Sequence, residues 1–304
     1  MNDALIAATG AVRGATPLPW TLSGFSLHPG AWAGVLILAA VYAAVIRRSR
    51  YSVSPRQAWC FLAALGVLLV AYTWPLSDMA ARSLLVALVV QRLLVLLAVP
   101  PLLFGGLPRP FVASLTRPAA LDAIARVCSR PVPAVGIVTL VAVGTLSVPA
   151  VDAAASSTVV RGALDLVLVA AGLVLWMPVL HPVPGTPRLS HVGTAGYLVV
   201  QSILPGFLSV VWIFARHPLY APFKHPGHVL GLSSLSDQQL SGFVAKFAVI
   251  AVLWTVALVM LLRAEHGADE GGDPDPLTWA DVERQLERVE RRERRMTEGR
   301  DRPR

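Results

Sequence analysis

Three ionisable side chains lie within long aliphatic stretches of this 304-residue chain: Arg92, Asp165 and Lys246. A charge at membrane depth costs a few kcal/mol or more, so it is usually paired with another charge or borders a wet cavity. We therefore expect these side chains either to form a structural ion-pair cluster or to handle a ligand, an ion or a proton. The side chains that could extend such a cluster are Gln91, Gln201 and Gln239.

Local contacts offer a simple explanation for each of these charges. Arg161 precedes Asp165 by one helical turn, so an intrahelical pair could satisfy the carboxylate. Arg92 and Lys246 have long side chains that could extend toward the membrane surface. We favour the structural cluster and keep the ligand-handling cavity as the alternative.

Three histidines in one short segment raise the question of a metal site. His217, His225 and His228 occur within twelve residues, between two apolar stretches. Imidazoles are good ligands for copper and zinc, which makes copper a candidate. No carboxylate or thiol accompanies them, and Pro226-Gly227 leaves the local geometry undefined, so we favour an ordinary surface loop.

The composition shows in which environment these residues must be placed. The chain is 55% hydrophobic and 14% charged, with a mean hydropathy of +0.62, whereas soluble domains are about 25% charged. These values exclude a water-soluble globule. Because backbone groups in lipid must be satisfied within each segment, we expect an all-α, polytopic bundle of seven transmembrane helices. The predicted spans are 29–46, 57–76, 83–104, 132–150, 158–180, 192–214 and 239–262.

The loop charges predict the orientation. One side of the predicted bundle collects 19 Lys and Arg residues and the other collects five, which puts the N-terminus outside and the C-terminus in the cytoplasm. We expect an extracytoplasmic segment at 1–28, a transmembrane domain at 29–263 and a polar tail at 264–304 that is partly helical or disordered. The partner is then the lipid bilayer of a cytoplasmic membrane, and no nucleic-acid binding is expected from the basic balance.

The spans also predict where the three charges lie. Arg92 follows the outer start of its span by nine residues, and Asp165 and Lys246 follow theirs by about seven. At 1.5 Å per residue, all three lie about 10–14 Å from the outer surface. A common depth is what a shared polar site requires. We also expect Pro205-Gly206 to break the sixth span, and 119–128 to form a small interfacial helix.

Four segments together resemble the integral-membrane CtaG-type family of cytochrome c oxidase assembly factors. They are 91–103 (QRLLVLLAVPPLL), 175–180 (LWMPVL), 218–220 (PLY) and 236–242 (SDQQLSG). The family-motif positions within them are Pro100, Pro101, Trp176, Pro178, Tyr220, Asp237, Gln238, Gln239 and Gly242. The resemblance covers about residues 20–262 and implies a non-enzymatic factor. Such a factor acts with oxidase subunits to mature the haem-copper enzyme, in particular at copper insertion.

The chain departs from the family pattern at its three buried charges. Leu88, Arg92 and Asp165 stand where the family is expected to have histidines, and Ala245-Lys246 stands where it has a Met-Trp pair. Copper prefers imidazole or sulfur ligands, and two of the three charges are cations that repel a metal ion. The resemblance therefore predicts the family fold and broad role in a diverged member, without copper ligation at these positions.

Other classes of membrane protein match single features. A small-molecule or ion transporter could use Arg92, Asp165 and Lys246 with a broken sixth span, but transporters often contain two related halves, and no repeat is visible. A retinal protein has seven spans and a lysine in the last, but Lys246 lies nearer the outer end, with Phe247 as its one aromatic neighbour. For a hydrolase, the sequence offers no nucleophile beside a base.

Overall fold

The computed structural model describes residues 27–49, 52–183, 185–186, 188–224 and 231–270. A π-helical turn, Leu94–Ala98, joins α4 to α5, and a 3₁₀ turn, Ala221–Phe223, lies between α12 and α13. The α-helices of the described ranges are α1 (Pro29–Ser49), α2 (Pro55–Tyr72), α3 (Leu76–Arg82), α4 (Leu85–Leu93), α5 (Val99–Gly106), α6 (Arg109–Leu115), α7 (Ala119–Cys128), α8 (Pro131–Thr145), α9 (Val148–Ser156), α10 (Thr158–Leu180), α11 (His191–Ile203), α12 (Phe207–Ile213) and α13 (Ser234–Glu270).

These helices confirm the prediction of a polytopic helical bundle. A seventh crossing exists if α7 and α8, which are bent by 87° relative to each other, count as one broken span. The orientation of the bundle stays a prediction from the loop charges. Among the described residues, six stretches are long and apolar enough to cross a membrane: Pro29–Arg48, Pro55–Tyr72, Leu85–Gly106, Thr158–Leu180, His191–Ile213 and Ser234–Ala264.

The fourth predicted span, 132–150, is shorter in the structure than expected. Helix α8 ends at Thr145, and a separate helix, α9, begins at Val148. Pro149 suits the first turn of a new helix, where the missing N–H has no intrahelical partner to lose. The 15 residues of α8 rise about 22 Å, which is less than the hydrocarbon thickness of about 30 Å.

The sixth and last spans differ from each other in how well they were predicted. The break at Pro205-Gly206 is confirmed, since α11 ends at Ile203 and α12 begins at Phe207. Helix α13, in contrast, begins at Ser234, five residues before the predicted start, and it continues past the predicted tail boundary to Glu270.

The chain divides into two compact units, Met1–Ala257 and Leu258–Arg304. Every contact discussed below lies in the first unit. In the second, the described part is helical as far as Glu270. The remainder of the predicted tail, 271–304, and most of the predicted N-terminal segment, 1–26, lie outside the described residues.

The third span, Leu85–Gly106, contains two adjacent prolines that leave one carbonyl without a main-chain donor. The carbonyl of Leu96 would accept from residue 100 in an α-helix and from residue 101 in a π-helix, but Pro100 and Pro101 have no N–H. The indole Nε1 of Trp176, in the fifth span, donates to this carbonyl at 3.3 Å. Trp176 is only 3% exposed, so the bond joins the two spans deep in the bundle.

A glycine in the fifth span permits this close approach. A Cβ at Gly172 would lie 2.7 Å from Cγ of Pro100 and 3.0 Å from the carbonyl oxygen of Leu96. Both distances are shorter than van der Waals contact, so the span-three backbone leaves no room for a methyl group here.

We expect Gly172→Ala to lower the free energy of unfolding by about 1–3 kcal/mol, because overpacking a tight contact forces the backbone to shift. The measurement is unfolding of the purified protein in mixed micelles at increasing SDS. Gly162→Ala on the same helix is the matched control, because a Cβ there meets no atom within 4 Å. The control should be neutral or stabilising by up to about 1 kcal/mol. Equal free energies of unfolding for the two variants would refute the close approach of the two helices at Gly172.

Candidate functional site

A polar cleft opens at the end of the bundle where α4 and α10 begin, which is the predicted outer end. Its cavity volume is about 50 Å³. Arg92 and Asp165 both line it, and each lies seven residues after the first residue of its helix, or roughly 10 Å along the helix axis. The side chains that give the cleft its character are Tyr72, Ser77, Leu88, Gln91, Arg92, Arg161, Asp165 and Phe223.

The charges in the polar cleft do not form the predicted intrahelical pair. Among the described side chains, no salt bridge within 4 Å includes Asp165; those that form are His28–Asp78, at 3.2 Å, and Asp122–Arg126. Arg161 instead donates from Nε and Nη2 to the carbonyl of Ala154, both at 3.3 Å. The cleft therefore holds two guanidinium groups and one carboxylate that are near one another but unpaired.

Arg92 is the most buried of these charges. The residue is only 6% exposed, and the Nε and Nη1 atoms of its guanidinium have no hydrogen-bond partner. The hydroxyl of Tyr72, which is also buried, has none either. Gln91 is better satisfied, because its Nε2 donates to the carbonyl of Ala71 at 2.8 Å. Among the described residues, the polar cleft therefore contains buried hydrogen-bond donors that have no acceptor within hydrogen-bonding distance.

Lys246 lies in a different cavity. It lines a mostly apolar cavity together with Pro205, Gly206 and Trp212. Arg92 lies between this cavity and the polar cleft, because it lines both of them. A Cβ at Gly206 would lie 2.9 Å from Nζ of Lys246, so the ammonium group sits against the break in the sixth span. Lys246 is twelve residues after the first residue of α13, and its depth relative to Arg92 and Asp165 stays a prediction.

The remaining predicted polar residues are dispersed. Gln201 is 1% exposed, lies in α11 outside the lining of both cavities, and has no partner for its amide nitrogen or oxygen. His217 is exposed, whereas His225 and His228 lie outside the described residues, so the loop metal site stays a prediction. Over the part of the chain that the structure describes, no three His, Cys, Asp or Glu side chains group as a metal site would require.

Asp237 fixes the start of the helix that carries Arg92. Its carboxylate, in the first turn of α13, accepts from the backbone N–H of Leu85 at 2.6 Å and of Val86 at 3.1 Å. These are two of the N–H groups that the first turn of α4 leaves without an intrahelical partner. The negative charge also meets the positive end of the helix dipole. The motif residue therefore positions the cleft rather than lining it.

Two other motif residues hold the loop that precedes α13. Oε1 of Gln238 accepts from the N–H of Leu219 at 2.7 Å. The hydroxyl of Tyr220 donates to the carbonyl of Leu146 at 2.6 Å and accepts from Nε1 of Trp212 at 3.0 Å. Burial raises the pKa of Tyr220 to about 12, so the hydroxyl stays protonated and can donate.

The other motif positions also make packing contacts. Gln239 donates from Nε2 to the carbonyl of Ala215 at 3.2 Å. A Cβ at Gly242 would lie 2.7 Å from the carbonyl oxygen of Ser209, so α12 and α13 pack closely there. Pro178 is buried within α10. One turn away, the hydroxyl of Tyr197 donates to the carbonyl of Leu175 at 2.8 Å, a contact that sequence reasoning did not identify.

Sequence reasoning also missed Tyr72 and Ser77 as parts of the polar cleft. Tyr72 is the last residue of α2, and an aromatic residue at the end of a span is usually taken as an anchor at the membrane interface. Its position at the same end of the bundle as Arg92 is the signal that could have assigned it to the cleft.

The fold and the cleft together define a polytopic helical membrane protein with a polar site at one end of its bundle. The family model described as Cytochrome c oxidase caa3 assembly factor (Caa3_CtaG) matches residues 40–265, about three quarters of the chain. The chain belongs to this family, which confirms the resemblance. No curated protein and no solved structure matches it. The positions at which family histidines were expected, Leu88, Arg92 and Asp165, all line the polar cleft.

We expect Asp237→Ala to lower the free energy of unfolding by about 1–2 kcal/mol, because the substitution leaves two N–H groups at the start of α4 without an acceptor. SDS titration of the purified protein measures this loss. Asp122→Ala is the control, because Asp122 forms an i,i+4 ion pair with Arg126 on the surface, which contributes at most about 0.5 kcal/mol. A loss at position 237 no larger than at position 122 would contradict the capping role.

Proposed function

We propose that the protein is a non-catalytic assembly factor for a haem-copper cytochrome c oxidase, acting through oxidase subunits in the bacterial cytoplasmic membrane. Family membership supports the broad role. One observation links that role to a place in the structure: α4 and α10 bring the three positions of the expected family histidines to a single cleft. In family members with histidines at these positions, the same cleft would hold a cluster of imidazoles.

Copper insertion is the step at which the family is expected to act, but the residues in this cleft do not fit copper. Leu88 has no ligand atom, and the guanidinium of Arg92 has no lone pair to donate to a metal. Asp165 supplies one carboxylate, which is a harder ligand than copper prefers. We therefore propose that this member supports oxidase assembly by binding oxidase subunits, and that copper does not pass through the polar cleft.

Deleting the gene should lower cytochrome c oxidase activity in isolated membranes and reduce recovery of the assembled oxidase. A plasmid copy should restore both, and succinate dehydrogenase activity in the same membranes is the control for membrane quality. The tagged protein, purified from native membranes, should also retain oxidase subunits. Unchanged oxidase activity after deletion would contradict the proposed role.

The triple variant Leu88→His/Arg92→His/Asp165→His should gain Cu(I) that the wild-type cleft does not hold, because it replaces non-ligands with imidazoles in one cleft. Copper per protein after Cu(I) loading and desalting is the measurement. Both proteins should also carry His217→Ala/His225→Ala/His228→Ala, which removes the loop histidines as a second source of binding. One result would contradict the proposal that the wild-type cleft does not bind copper. In that result, copper stays bound to the protein that carries only the loop substitutions and is lost when Asp165→Asn is added.

A further inference from the structure

The polar cleft contains buried hydrogen-bond donors that no described acceptor meets. Arg92 is 6% exposed, its Nε and Nη1 atoms are unpartnered, and it lines the cleft. The buried hydroxyl of Tyr72 in the same lining is also unpartnered. Buried polar groups in folded proteins are nearly always satisfied, so a set of orphaned donors in one cavity indicates a ligand rich in acceptor atoms.

The charge of the polar cleft indicates the sign of this ligand. Arg92 and Arg161 contribute two positive charges and Asp165 one negative charge, and no salt bridge within 4 Å joins these side chains. The cleft is therefore positive by one charge when all three are ionised. Because water is partly excluded from the cleft, this net positive charge attracts a singly charged anion more strongly than it would in bulk water. Guanidinium groups match the geometry of carboxylate and phosphate oxygens.

The polar cleft is also accessible. A wider opening shares Tyr72, Ser77, Arg161 and Asp165 with it and continues to the beginnings of α1, α3 and α10. There it is lined by Ser157 and by His28 and Asp78, which pair with each other at 3.2 Å. These helix ends lie at the predicted outer surface of the membrane. A ligand could therefore enter from the surface without crossing the apolar part of the bundle.

We propose that the polar cleft binds a singly charged oxyanion, a carboxylate or a phosphate group, through the guanidinium of Arg92 and the hydroxyl of Tyr72, with Arg161 toward the opening. Because the opening lies at the predicted membrane surface, the oxyanion comes either from a soluble anion or from the phosphodiester of a lipid headgroup. The proposal does not depend on the role in oxidase assembly.

Binding and a purely structural role for Arg92 predict opposite effects on the empty protein. If Arg92 stabilised the fold through pairing, removing it would leave a buried partner unpaired and lower the unfolding temperature. If Arg92 waits for a ligand, Arg92→Gln removes an unpaired buried charge, and the unfolding temperature without anion should stay equal or rise by a few degrees.

The test uses the full-length, delipidated protein in a maltoside detergent. Its thermal unfolding is followed against inorganic phosphate and acetate in one arm, and against phosphatidylglycerol in the other. Chloride at equal ionic strength and a phosphate-free glycolipid are the respective references. We expect a saturable rise in unfolding temperature, lost in Arg92→Gln and weakened at least tenfold in apparent affinity in Tyr72→Phe. A rise with the salts identifies a soluble anion, and a rise with phosphatidylglycerol alone identifies a lipid headgroup.

Arg216→Gln is the matched control, because Arg216 is exposed and outside the cleft lining; it should keep the full response. Tyr72→Phe tests the same site by a change that leaves the charge of Arg92 in place. The proposal is overturned if no anion or lipid stabilises the wild-type protein. It is also overturned if Arg216→Gln loses the response as fully as Arg92→Gln, or if Arg92→Gln unfolds at a lower temperature without ligand.

Discussion

The hydrogen bond from Trp176 to the carbonyl of Leu96 is the contact on which the site depends. Pro100 and Pro101 deprive that carbonyl of both helical donors, and in a membrane no water is available to replace them. The indole Nε1 of the fifth span fills the gap at 3.3 Å, and Gly172 lets the backbones approach closely enough. The third and fifth spans are thereby held together, and the helices that carry Arg92 and Asp165 line the same cleft.

The motif residues at the predicted outer end complete this scaffold. Asp237 holds the start of α4, and Tyr220 and Gln238 hold the loop before α13. These side chains bond to backbone groups, which are present whatever side chains line the cleft. Leu88 and Arg92 are not needed for those bonds, so they could change without loss of the fold. The chain can therefore keep the family fold while the residues that line the cleft change. The fold alone does not determine what the cleft binds.

Hydropathy predicted most of the helices, because a span must be long, apolar and internally bonded. It failed where tertiary contacts decide the outcome. The i,i+4 spacing allowed an Arg161–Asp165 pair, but Arg161 instead satisfies the carbonyl of Ala154, one of the unpaired carbonyls at the end of α9. The start of α13 at Ser234 was also missed, because hydropathy does not detect the polar first turns of this helix. Loop charges and span lengths carry no information on the contact of Arg161 or on where the polar start of α13 lies.

The most direct test of this account is the free energy of unfolding of Trp176→Phe compared with Trp254→Phe, measured by SDS titration. Nε1 of Trp254 also donates a hydrogen bond, at 3.0 Å, to Oγ of Ser202, but that hydroxyl has a second partner in the carbonyl of Val199. The Leu96 carbonyl has no such alternative. We predict a loss of about 1–3 kcal/mol for Trp176→Phe and of less than about 1 kcal/mol for Trp254→Phe. Equal losses in the two variants would contradict the account.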